Sequence, residues 1–155
     1  MVILYGDLVF RGYILKGLIE SDRELTIVVD SSKTKIAQKK DTDFVFCSAK
    51  DNRELWGQDI LLEHISDSPE ISGRECCGRW IGMLRANRKG RQWIETGMEE
   101  LQQQSDFKTL NLGDLLNKII KNGHPIRVIY IHGHWLNINS LNDLELARSF
   151  TIGSN

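Results

Sequence analysis

The run Leu25-Thr26-Ile27-Val28-Val29-Asp30 leaves few structures open to this chain. It is apolar and β-branched without polar alternation, so the strand it predicts must be covered on both faces. Such a strand belongs in the middle of a sheet with helices above and below, and the flanking sequence offers the helices. Phe10, Tyr13, Ile14, Leu18 and Ile19 recur at helical spacing, as do Trp93, Ile94, Met98 and Leu101 within Lys89 to Gln104. Asn111 to Gly123 is the best-marked helix. Asn111 suits the N-cap, Asp114 complements the positive helix end, and Gly123 suits the left-handed residue past the C-terminus.

Further strands are expected at Ile3-Leu4-Tyr5, Asp43 to Ala49, Gly78 to Arg85 and Ile126 to Ile131. Gly82 inside one of them suggests a bulge or a close backbone approach. Ile60 to Ile65 reads as a strand or a helical turn, its shortness favouring strand, and Asp30 to Asp43 reads as an exposed loop. Ser140 can cap a last helix, with Asp143 closing the box and Leu144, Ala147 and Phe150 as its apolar stripe. Strands alternating with helices predict an α/β fold, a Rossmann-like three-layer sandwich with a mixed, largely parallel sheet. With 155 residues, no repeat and no linker, residues 1–155 are expected to form a single domain.

Lys and Arg number 20 against 21 Asp and Glu, which gives no general electrostatic reason to bind nucleic acid or an anionic membrane. The basic cluster from Arg85 to Arg91 reads as a solvated turn. No apolar run approaches the roughly 20 residues of a membrane span, and Met1 to Tyr5 lacks the basic flank and cleavage site of a leader. A soluble, cytoplasmic protein is expected. Cys47 and the adjacent Cys76-Cys77 fit reduced thiols, since a redox motif needs two intervening residues.

Ligands of open α/β sheets bind beyond the carboxyl ends of the strands. Asp7, Asp30, Asn137 and Asn139 stand at such ends. Alternation along extended backbone puts Asn137 and Asn139 on one face. One carboxylate with amide oxygens suits magnesium, a hard ion usually shared with substrate phosphates, and does not suit zinc. The plainer alternative makes Asp7 a turn residue and the asparagines backbone caps. His132 and His134 read as structural, and Trp135 could line a pocket for an organic cation or a nucleobase.

Two motifs together carry a family resemblance: Tyr5-Gly6-Asp7-Leu8-Val9-Phe10, and Gly133-His134-Trp135-Leu136-Asn137-Ile138-Asn139-Ser140-Leu141-Asn142-Asp143-Leu144. With the return strand Trp80-Ile81-Gly82-Met83-Leu84, they resemble nucleotidyltransferases of the sugar-phosphate and choline-phosphate type. The resemblance is strongest to the domain fused behind phosphoenolpyruvate phosphomutase in phosphonate biosynthesis. It implies that Asp7 is the catalytic, magnesium-holding aspartate and that Gly6 and Asp7 contact the cofactor. It further implies that Asn139 and Asn137 complete the metal site, and that Arg79, Trp80 and Trp135 approach the substrate.

The implied reaction transfers a nucleotidyl group, CMP from CTP, to a phosphonate or phosphate acceptor such as 2-aminoethylphosphonate. Two departures stand out. Asn137 replaces an expected acidic residue, which lowers metal affinity unless the phosphates compensate, and the family's glycine-rich phosphate loop is absent from this sequence. The chain is therefore expected to be the C-terminal portion of an incomplete nucleotidyltransferase fold, needing an N-terminal or phosphomutase partner. A catalytically inactive interaction module is the alternative, and exposed apolar edges would favour homo-oligomers.

Overall fold

The continuous apolar run becomes β3 (Leu25–Asp30), and each of its residues is buried. The computed structural model describes residues 1–32, 43–52, 54 and 57–152. In it β3 lies between β9 (Arg127–Ile131), paired in parallel, and β8 (Gly78–Ala86), paired antiparallel. The other flank of β8 is shared by two strands placed end to end. β1 (Val2–Leu4) pairs with Met83 to Arg85, and β4 (Phe44–Cys47) pairs with Gly78 and Arg79. β5 (Leu62–Ser66) pairs antiparallel with β4.

The other described elements are β2 (Leu8–Phe10), α1 (Gly12–Ile19), the hairpin of β6 (Glu70–Ile71) and β7 (Arg74–Glu75), α2 (Arg88–Gln102), a 3-10 turn (Phe107–Thr109), α3 (Leu112–Lys121), β10 (Trp135–Asn137) and α4 (Leu141–Ile152). Most of the loop expected over Asp30 to Asp43, and the Phe150 side chain, lie outside what is described. No helix among the described residues is long and apolar enough to cross a membrane.

Three layers follow from the alternation of β3. Leu25, Ile27 and Val29 join Ile94 and Leu101 of α2 and Leu115, Leu116 and Ile119 of α3 in one core. Val28 turns to the other face, where Ile14 and Leu18 of α1 pack with Ile81, Met83, Ile131 and Trp135. The α/β sandwich and the mixed sheet agree with the sequence reading, but the expected predominance of parallel pairs does not hold. Among the described residues, parallel pairing is confined to β3 with β9, and the remaining pairs of the main sheet are antiparallel. The reason is the route of the chain, which reverses between β4 and β5, so that β5 and β8 run the same way on either side of β4 and both oppose it.

Local chemistry fixes the ends of these elements. Asn111 and Asp114 form a reciprocal capping box at the start of α3, and Gly123 after it has φ +82°. The Asn117 side chain of α3 accepts from Ile65 N–H and donates to Ile65 O, both at 2.8 Å, so an amide takes the place of another strand beside β5. Just before β5 the sheet curls until its rims meet. Leu62 N–H donates to Ile126 O (2.9 Å) and Val128 N–H to Ile60 O (2.8 Å).

Gly82 answers to both parts of its expectation. Its φ is +80°, the register between β3 and β8 shifts beside it, and an added Cβ would overlap the Tyr5 ring. Phe10, expected to open the first helix, lies instead in β2, because its backbone is drawn into pairing with Trp135.

Candidate functional site

β2 and β10 form a separate two-stranded antiparallel ribbon in the register Trp135 to Phe10, Leu136 to Val9 and Asn137 to Leu8. Arg11 N–H to His134 O (3.0 Å) extends it at one end and Ile138 N–H to Asp7 O (2.8 Å) at the other. The two halves of the expected site, more than a hundred residues apart in the chain, are thereby held side by side. The ribbon lies at the end of the sheet where β1, β3 and β9 all finish, since β1 and β9 both run parallel to β3.

A tight reversal leads from β9 into β10. Gly133 (φ +71°) and His134 (φ +64°) are both left-handed, a conformation that glycine adopts freely and histidine only when held. His134 is held by a 2.8 Å hydrogen bond between its Nδ1 and the Tyr13 hydroxyl, with the two rings edge to face. Asp30, only 1% exposed, closes the reversal from beneath. Its carboxylate accepts from Trp135 Nε1–H (2.6 Å), Gly133 N–H (3.1 Å), Ser32 N–H (2.9 Å) and the Ser32 hydroxyl. Burial pushes this carboxyl up, but the donors from Ser32, Trp135 and Gly133 together outweigh it and hold the group below the usual carboxylate range. Asp30 is a clamp for β10, a role that its position at a strand end did not distinguish from a ligand role.

Among the described residues, the Asp7 carboxylate makes no hydrogen bond or ion pair, although it faces the Tyr5 hydroxyl electrostatically. Asn137 Oδ1 is buried and has no hydrogen-bond partner among the described residues. An unsatisfied buried carbonyl oxygen is costly in the free protein and calls for a ligand. β10 stops at Asn137, so strand alternation does not extend to Asn139, which is exposed and whose N–H donates to Asp143 Oδ2 (3.0 Å). Asp143 N–H in turn donates to Ser140 Oγ (3.3 Å), the cap expected for α4. Asp7, Asn137 and Asn139, the residues expected to hold a metal, would together offer carboxylate and amide oxygens with one charge, a donor chemistry that suits magnesium. No three His, Cys, Asp or Glu side chains among the described residues gather as a metal cage.

The three residues expected near the substrate behave differently from one another. Trp80 is 1% exposed, donates its indole N–H to Met83 O (3.0 Å) and stacks obliquely on Tyr5 at 5.4 Å. It supports the strand that leads to Asp7 and has no face toward solvent. Trp135 is also core, at 3% exposure, with its N–H committed to Asp30, so it does not line an open pocket. Arg79 lies with its guanidinium 5.1 Å above the Trp135 ring, which places a cation at this end of the sheet. Gly6, exposed in the turn before Asp7, has open space where a Cβ would stand.

A cavity of about 700 Å³ opens beyond β3 and β9, lined by Ser31, Lys50, Asp51, Cys77 and His132 among others. His132 Nε2 lies 3.0 Å from Asp51 Oδ2, and the Ser31 hydroxyl donates to the same oxygen at 2.6 Å. Sequence reading passed over Lys50 and Asp51, since a polar pair after a strand has no signature apart from its fold.

No family model matches the sequence, and no curated protein matches it. Solved structures do. The inositol-1-phosphate CTP transferase from T. maritima superposes with a TM-score of 0.63 at 16% identity, covering 99% of this chain and 57% of that one. A UTP-bound UGPase from Acinetobacter baumannii gives 0.64 at 13% identity, covering 95% and 48%. The chain has a nucleotidyltransferase fold. It spans about half the length of the nucleotidyltransferases it matches.

Proposed function

We propose that this chain is a cytoplasmic nucleotidyltransferase domain that transfers CMP from CTP to a phosphonate or phosphate acceptor, such as 2-aminoethylphosphonate, in phosphonate biosynthesis. The observation that supports this reading is the bond from Ile138 N–H to Asp7 O at 2.8 Å, which sets the Asp7 turn beside the asparagine segment. The fold likeness to a CTP transferase and a UTP-bound protein supports the reaction class. A glycine-rich phosphate loop would come from an N-terminal segment or a phosphomutase partner.

Asp7, Asn137 and Asn139 would hold magnesium, which when bound offsets the charge on the triphosphate. Asp7 is the only one of the three that brings negative charge. Asp30, through Trp135 and Gly133, positions the asparagine segment. Arg79, and Lys50 with its partner Glu75 at 3.3 Å, are cations at the same end of the sheet and would attract an anionic acceptor oxygen. The cavity beside Ser31 and His132 is large enough for a small acceptor.

A second reading, an inactive interaction module with this fold, draws support from the amides at 137 and 139 and the half-length span. One experiment separates the two. Thermal denaturation of the chain with CTP and magnesium should show a stabilisation that disappears without magnesium and in Asp7→Ala, while the ligand-free melting temperatures agree. A wild-type chain indifferent to CTP and magnesium, and releasing no pyrophosphate with 2-aminoethylphosphonate when the loop-bearing segment is added, leaves only the module.

A further inference from the structure

Cys77 is 7% exposed and forms part of the wall of the 700 Å³ cavity, together with Cys76, Lys50 and His132. It immediately precedes β8, and its N–H donates to Val45 O at 2.7 Å, which lays it alongside the end of β4. There its sulfur rests on Cys47. Cys47 N–H donates to Cys77 Sγ at 3.4 Å, and Cys77 Sγ lies 3.9 Å from Cys47 O. The two thiols also share a hydrogen bond with each other. The Tyr130 hydroxyl, which donates to Ala49 O at 2.8 Å, interacts with both sulfurs, and Arg74 donates to Cys47 O beside them.

These neighbours sort the three cysteines by reactivity. The Cys47 thiol and, against the effect of burial, the Cys47 N–H and the Arg74 charge favour the Cys77 thiolate, whose pKa falls to about 6. Cys47 is pushed far up by the same shared hydrogen bond and by burial, and Cys76 is pushed up by burial. At neutral pH one thiolate therefore faces a cavity while a protonated thiol waits behind it. A low-pKa thiolate in the wall of a cavity next to a second thiol is the arrangement that favours oxidation followed by disulfide formation. The nucleotidyl transfer proposed above does not use it, and the two cysteines also pack in the core with Val45, Leu62 and Trp80.

We propose that Cys77 is a hydroperoxide-reactive thiol whose sulfenic acid is resolved by Cys47. The Cys77 thiolate attacks one peroxide oxygen, an S–O bond forms as the O–O bond breaks, and the departing oxygen leaves as alcohol or water after taking a proton. The sulfur is oxidised and the peroxide reduced by two electrons. Cys47 then attacks the Cys77 sulfur, an S–S bond forms, the S–O bond breaks, and the hydroxide leaves as water with the Cys47 proton. The product links the end of β4 to the start of β8 across one wall of the cavity.

The test uses the whole reduced chain with hydrogen peroxide as probe, followed by peptide mass spectrometry without reductant. A Cys47–Cys77 cross-link should form in the wild type and in Cys76→Ser. Cys47→Ser should instead accumulate a dimedone-reactive sulfenic acid at Cys77. With untreated wild type, which needs no substitution, iodoacetamide should label Cys77 about ten-fold faster than Cys76 at neutral pH, the advantage falling as the pH drops through about 6. Sulfenic acid or cross-linking centred on Cys76, or labelling of Cys77 no faster than Cys76, overturns the proposal.

Discussion

The Trp135 indole N–H donates to the Asp30 carboxylate at 2.6 Å, joining the C-terminal end of β3 to the first residue of β10. Because the same carboxylate also holds Gly133 N–H, loss of its charge loosens the whole reversal that delivers Asn137. Asp30→Asn should lower stability by about 2–3 kcal/mol in urea denaturation at neutral pH, the range for hydrogen bonds to a charged group. The folded carboxyl is held below its ordinary value, so this stabilisation is complete above the unfolded value of about 3.9. It fades as the pH falls through the folded one. The gap in urea midpoint between wild type and variant should therefore narrow below pH of about 4.

Gly82→Ala puts a Cβ where the Tyr5 ring lies and forces alanine to φ +80°. Strain and displacement together should cost about 2–4 kcal/mol. Tyr5 should report the shift. Its hydroxyl pKa is pushed up to about 12, by burial first and then by Asp43, and in the variant an ultraviolet pH titration should show it moving back toward 10.

Asn137→Leu removes the unpartnered buried oxygen and replaces it with an apolar group that suits the neighbouring Leu8. The ligand-free chain should hold its stability or gain about 1 kcal/mol. Any magnesium-dependent stabilisation by CTP should fall, whereas Asn137→Asp should strengthen it. A Leu variant that is markedly less stable without ligand would mean that the amide is structural.

Asn117→Ala frees both the N–H and the C=O of Ile65. Two lost hydrogen bonds should cost about 2 kcal/mol. Hydrogen exchange should show the loss concentrated at the Ile65 amide, with little change in the centre of β3.

The parts of the fold set by short-range chemistry were legible in the sequence. Asn111, Asp114 and Gly123 bound a helix by contacts a few residues long, and Leu25 to Asp30 announces its burial by composition alone. Strand direction was not legible, because the reversal between β4 and β5 that makes both β5 and β8 oppose β4 leaves no helix signal or strong turn motif in the sequence. The ribbon of β2 and β10 escaped for a related reason. Each strand is three residues long, and Phe10 fits the helical period of Tyr13 and Ile14 as well as it fits a strand opposite Trp135. At the site, motif resemblance pointed to Asp7 and the asparagines, whose two segments the ribbon sets side by side. The burial of Trp80 and Trp135 depends on which faces of the sheet the helices cover, and the residues themselves do not disclose it.

The shared flank of β8 explains why Asp7 is at the site at all. Extending the register of β1, in which Leu4 opposes Met83, would set Asp7 opposite Trp80. That place is taken. Trp80 N–H already donates to Asp43 O at 2.9 Å, one residue before β4 begins. Two strands heading the same way cannot occupy one stretch of a third, so the chain is turned off the sheet at Gly6 and emerges beside β10. The position of the candidate metal-holding aspartate is thus decided by steric exclusion, and a change that shifted β4 along β8 by one residue would move Asp7 without touching it.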